Sequence, residues 1–164
     1  MKKVLSLVIV ATLVFGAFGL TSAKASTTSG FNAVRSTYGK YFPTESKIAR
    51  KNFFGKYNKI LGLVSTKGLK SYKVAQKFTG KSKKTQRLCV IVQAKKRSQV
   101  KGIKSKFRKY ISNEKGAYSR GYYSRTGKSL LDKASVGSKG NYVYLFILDT
   151  SGNGKAKSAF KRAA

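Results

Sequence analysis

The chain has 164 residues, 36 of them Lys or Arg and four Asp or Glu, and carries a formal charge of +32 with no histidine. Without histidine there is no imidazole base, no His-based triad and no imidazole metal ligand, and the single cysteine, Cys89, excludes an internal disulfide and a thiolate cluster. Solubility of a small domain needs a net charge of only about 2–8, so this excess points to an anionic partner attracted over long range.

Residues 1–25 read as a signal peptide. Lys2 and Lys3 precede the uncharged run Val4–Leu20, and Ala23-Lys24-Ala25 offers small residues for cleavage before Ser26. The run is seventeen residues long, the short limit for a membrane span. The expected mature chain is therefore one secreted domain, 26–164, with no stable membrane span and no cysteine for a lipid anchor. It keeps 33 basic residues against four acids, a charge of +29.

Phe31, Val34 and Tyr38 recur at helical spacing and predict a short helix after Ser29-Gly30 that ends at Gly39. Tyr41–Thr44 is an extended turn around Pro43, and Thr44 caps a second helix over Glu45–Asn58. Ile60–Thr79 fits either strand pieces or packed loop. Gly80–Arg87 is polar and basic and reads as an exposed loop. Leu88–Val92 is an apolar strand in which Cys89 is expected to be a buried small hydrophobe.

Arg97–Lys115 is the longest predicted helix, with Val100, Ile103, Phe107, Tyr110 and Ile111 as its apolar stripe. Lys101, Lys104 and Arg108 form a basic stripe beside it. Gly116–Gly127 is a loop whose Tyr118, Tyr122 and Tyr123 alternate with Arg120 and Arg125, suited to stacking on sugars or bases and equally to packing over the sheet. A helical turn around Ser129–Lys133 leads to a brief strand, Ala134–Gly137. That strand forms a hairpin through Lys139-Gly140 with Asn141–Asp149, which reads as a strand covered on both faces. Thr150–Gly154 is a turn, and a last helix, Lys155–Arg162, sets Ala156, Ala159 and Phe160 on the sheet. The expected fold is α+β: one small domain, an antiparallel sheet of about three strands packed by helices, centred on Leu88–Val92 and Asn141–Asp149.

The chain carries few groups fit for catalysis. Its carboxylates are Glu45, Glu114, Asp132 and Asp149, and a glycosidase-type pair needs two facing one bond; Glu114 and Asp132 are the least unsuitable. Gly121–Ser129 resembles a phosphate-binding loop but has five residues where four are required. Ser98-x-x-Lys101 and Ser112-x-x-Lys115 match a Ser-Lys pattern that arises by chance in so Ser- and Lys-rich a chain. No catalytic residue, metal site or cofactor is assigned.

Three stretches carry a resemblance: Ala33–Pro43 (AVRSTYGKYFP), Leu88 through the helix to Tyr110, and Ala134–Leu148 (ASVGSKGNYVYLFIL). Together they resemble the bacterial extracytoplasmic domain-of-unknown-function family forty-three fifty-eight. Its Tyr-Gly-x-x-Tyr-x-Pro-like element appears here one residue shorter, as Tyr38-Gly39, Tyr41 and Pro43. Its Gly-x-Tyr-Val-like strand appears as Gly140–Val143. The resemblance implies an exported bacterial domain, often borne on lipoproteins, with no catalytic residues to carry over. The lipoprotein cysteine is absent here.

The functional expectation is an exported, non-catalytic protein that binds anionic wall polymers or acidic lipid headgroups by non-specific electrostatics, secreted and associated with the cell envelope. Its expected binding residues are Lys81, Lys83, Lys84 and Arg87 in the loop and Lys101, Lys104 and Arg108 on the helix. A cationic toxin acting on anionic membranes and a non-specific binder of extracellular nucleic acid are the alternatives. Lysine outnumbers arginine heavily, which disfavours sequence-specific reading of bases.

Overall fold

The computed structural model describes residues 25–38, 68–79, 82–83 and 85–164. The two most apolar stretches beyond residue 25 lie side by side at the middle of one antiparallel sheet. Leu88–Val92 is the heart of strand β2 (Thr85–Ala94), and the second stretch forms β4 (Tyr142–Ile147); the two pair from Leu88↔Ile147 to Gln93↔Tyr142. Strand β1 (Leu69–Thr79) flanks β2, and β3 (Ser135–Lys139) flanks β4, giving the order β1-β2-β4-β3. Among the described residues the antiparallel sheet thus has four strands, where about three are expected from the sequence. The fourth is β1, whose sequence LKSYKVAQKFT has polar residues on both faces and no apolar run to announce it.

Helix α1 (Thr27–Tyr38), α2 (Gln99–Lys115), α3 (Arg125–Asp132) and α4 (Thr150–Ala163) cover the sheet on both sides. Residues paired across antiparallel strands share a face. Tyr144 and Phe146 stack on each other and meet Phe160 of α4, so Cys89 and Ile91, their partners in β2, face the α1–α4 layer. Val143, Leu145 and Ile147, with Leu88, Val90 and Val92, face α2 and α3, where Ile103, Phe107, Tyr110, Leu130 and Leu131 are buried. The double covering explains why both central strands are apolar on both sides. Cys89 is buried, and loss of water around its thiol pushes its proton affinity far up, which keeps it inert.

Several element boundaries differ from expectation. Helix α1 begins two residues before Ser29-Gly30, because Ser26 and Ser29 close a capping box in which each backbone N–H reaches the other's hydroxyl at 2.9 Å. Gly30 then lies inside the helix, where an added Cβ would stand 3.1 Å from the Phe160 ring; the glycine lets α1 and α4 approach closely. The stretch Thr150–Gly154 is helical, not a turn. Asp149 takes the Gly152 N–H at 2.9 Å as the cap of α4, which overrides two glycines in the first turns. Likewise Ser124 caps α3 by accepting from Gly127 at 3.0 Å, so that helix starts earlier than the expected turn at Ser129. The β3–β4 hairpin forms as expected, with Gly140 at φ +54. In β3, Gly137 leaves room for the Tyr144 ring lying across it.

The signal peptide, the Tyr41–Thr44 turn, the Glu45–Asn58 helix and Ile60–Lys67 lie outside the described residues. Among the described residues no helix is long and apolar enough to cross a membrane.

Candidate functional site

The sheet has two ends of opposite character. At one end β1 begins, β2 finishes, the β3–β4 hairpin turns, α2 starts and α4 stops. The backbone there is tied down: Lys95 N–H reaches Gly68 O at 3.1 Å, Ala94 N–H reaches Asn141 O at 2.9 Å, and Lys96 N–H reaches Gln99 Oε1 at 2.9 Å. Those bonds leave the side chains of Lys95, Lys96 and Arg97 exposed, next to exposed Lys70 and, one turn on, Lys101. Lys139 in the hairpin and Lys161 and Arg162 at the end of α4 add three more cations, with Lys139 Nζ donating to Lys161 O. No acidic side chain stands at this end among the described residues.

At the opposite end the side chains hold one another. Gln86, only 1 % exposed, donates from Nε2 to the Tyr110 hydroxyl at 2.7 Å. The Tyr123 hydroxyl lies 3.3 Å from Gln86 Oε1 and donates to Glu114 Oε2 in a very short hydrogen bond. Tyr118 bonds Lys128 O at 2.9 Å and Asp132 Oδ1 at 3.3 Å, and Asp132 pairs with Lys115 at 3.0 Å. Burial first, then the neighbouring carboxylate, raises both phenols: Tyr118 to about 12, and Tyr123 further. All three acids of the described residues, Glu114, Asp132 and Asp149, are at this end. Thus the tyrosine loop mainly packs: Tyr123 is buried and Tyr118 half-buried, while Tyr122 stays 45 % exposed. Beside it Asn113, Glu114, Ala117, Arg120 and Tyr122 line an open pocket of about 360 Å³.

The five expected binding residues that are described, Lys83, Arg87, Lys101, Lys104 and Arg108, do not form one surface. Lys101 and Arg108 are exposed and Lys104 half-exposed along α2, about 10 Å from first to last at 1.5 Å per residue. Lys83 is exposed in the β1–β2 connection, at the tyrosine end, whereas Lys101 is at the basic end. Arg87 is not in a loop. It lies in β2 between Gln86 and Leu88, which face α2, so it projects to the α1–α4 side and is half-buried. Lys81 and Lys84 lie outside the described residues. What the sequence reading missed is Lys95-Lys96-Arg97, which joins Lys101 only once the β2–α2 turn is folded.

The two acids singled out for chemistry are engaged by different tyrosines, and Asp132 does not line the pocket that Glu114 lines. No three of Cys, Asp and Glu come together as a metal-holding group among the described residues. The phosphate-loop look-alike is also accounted for, since Gly127-Lys128 sits in the first turn of α3 with Ser124 on its free N–H.

Residues 58–148, more than half of the chain, match the family described as Domain of unknown function (DUF4358). The chain belongs to this family. Its DUF4358 segment takes in all four strands with α2 and α3, and so includes both the Lys95–Lys101 turn and the tyrosine pocket; α1 and α4 fall outside it. No curated protein and no solved structure matches the chain.

Proposed function

We propose that the protein is an exported, non-catalytic binder of anionic cell-envelope polymers, retained by non-specific electrostatics through the basic end of its sheet. The observation that carries this reading is the run of exposed cations there, Lys95, Lys96, Arg97 and Lys101 with Lys104 and Arg108 beyond them, without an acid beside them among the described residues. Lysines on tethered backbone form a diffuse positive field rather than a fitted socket. Such a field suits a flexible polyanion bound by release of its counter-ions. Anionic wall polymers are the first expected partner, acidic lipid headgroups the second, and nucleic acid the third.

The test is binding to intact cell wall, to wall stripped of its anionic polymers, to acidic vesicles and to duplex DNA across a salt series. Affinity for intact wall should fall steeply with salt and vanish for stripped wall. Replacing Lys95, Lys96, Arg97 and Lys101 by Gln should lower the slope of log affinity against log salt by roughly 0.7–0.9 for each cation removed from the interface. Replacing four exposed cations of the other end should leave that slope nearly intact. Equal loss from both sets would sink the assignment to one end, and dye leakage from the vesicles would favour the toxin reading.

A further inference from the structure

The pocket at the tyrosine end is built differently from the basic end, and its chemistry suits a neutral ligand. Gly121, at φ +66, turns the chain so that Tyr122 and Arg120 come over the last turn of α2. Tyr122 is braced edge-to-face on Tyr123 with 5.1 Å between centroids, so its exposed ring is held in one orientation. Glu114 is held through Oε2 by Tyr123, and among the described residues its Oε1 has no partner. The Asn113 amide and the Arg120 guanidinium likewise have none among the described residues, and all three line the same pocket.

We propose that this pocket binds one neutral sugar ring of a glycan, with Tyr122 as the stacking face. A pyranose presents an apolar C–H face and a rim of hydroxyls that both donate and accept. The pocket offers an aromatic face, an amide that donates and accepts, a guanidinium that donates and a fixed carboxylate that accepts. The carboxylate also argues against a phosphate or a nucleotide, which would bring negative charge against Glu114. On α2, Asn113 projects on the opposite flank of the helix from Lys104 and Lys115, so the sugar site and the Lys101–Arg108 stripe are separate surfaces.

The test uses the purified protein with chitotetraose and cellotetraose, followed by chemical-shift titration at about 0.5 M salt, where charges are screened beyond a few Å. Saturable binding of either sugar is expected, with shifts centred on Asn113–Tyr122. Tyr122→Ala should weaken it about ten- to hundredfold, the size of one stacking interaction. Tyr122→Phe should retain most of it, and circular dichroism should show both variants folded. Substituting Lys95, Lys96, Arg97 and Lys101 should leave sugar affinity unchanged, so this proposal and the electrostatic one fail independently. No saturable shift with either sugar, or Tyr122→Ala binding as the parent does, overturns the site. Tyr122-dependent binding of an oligothymidylate at the same salt, in preference to the sugars, would also overturn it and reassign the pocket to bases.

Discussion

The two ends of the sheet are built from similar material, short stretches rich in Lys, Ser, Tyr and Gly, and use it in different ways. At the basic end the backbone makes the bonds, through Lys95 to Gly68 and Ala94 to Asn141, and the side chains are left in water. At the tyrosine end the side chains of Gln86, Tyr110, Tyr123 and Glu114 bond one another under cover, and the loop that carries Tyr123 is fixed by those bonds. Surface cations cost a fold little when replaced, whereas a buried polar group stripped of its partner costs the desolvation of that group. The end proposed to bind a polyanion is thus the one whose side chains the fold depends on least.

That contrast can be broken by substitution. The largest effect is expected from Gln86→Leu, which removes the buried hydrogen bonds that Gln86 makes with the Tyr110 and Tyr123 hydroxyls and should lower unfolding free energy by about 2–3 kcal/mol in denaturant titration. Tyr123→Phe should cost about 1.5 kcal/mol near neutral pH through the missing bond to Glu114. The gap between parent and Tyr123→Phe should then close with alkali. The folded protein holds this phenol's proton more tightly than the unfolded chain does, so the stabilisation is complete below about pH 10 and lost as pH rises above it. Comparing the two proteins cancels the common effect of lysine deprotonation. A gap that stayed constant through pH 11 would remove Tyr123 from the buried network.

Asp149→Ala, which uncaps α4 at the same end, should cost about 1 kcal/mol, with Asp149→Asn nearly neutral. The smallest effect belongs to the basic end, where Arg97→Gln and Lys101→Gln should each stay within about 0.5 kcal/mol. A destabilisation as large as that of Gln86→Leu would mean that the cations are structural after all.

Within the segment that the family covers, the sheet and α2–α3 carry both candidate surfaces. The α1–α4 layer outside it closes the other face with small and aromatic residues: Gly30 fits against Phe160 and Ala164, and Ser29 Oγ donates to Ala163 O at 2.8 Å.

The sequence by itself determined the central pair of strands, the α2 stripe, the hairpin at Gly140 and the burial of Cys89. The hairpin rests on its Lys139-Gly140 turn and the others on a local run or period of apolar side chains, and burial of apolar surface is the largest force available to a chain without disulfides. It did not determine β1, whose polar residues take their places only by pairing with β2. Nor did it determine the starts of α1 and α4, where Ser26 and Asp149 cap helices across glycines that locally disfavour them. Of the lysines and arginines expected to bind, the described ones are separated by the strand alternation at Arg87 and by the length of the sheet between Lys83 and Lys101. Charge is legible as a total in the sequence, but a binding surface depends on which charges end up side by side. Tertiary structure alone brought Lys70, Lys139, Lys161 and Arg162 to the end that carries Lys95–Lys101 and every described acid to the other, because strand register and helix direction decide which distant residues share an end.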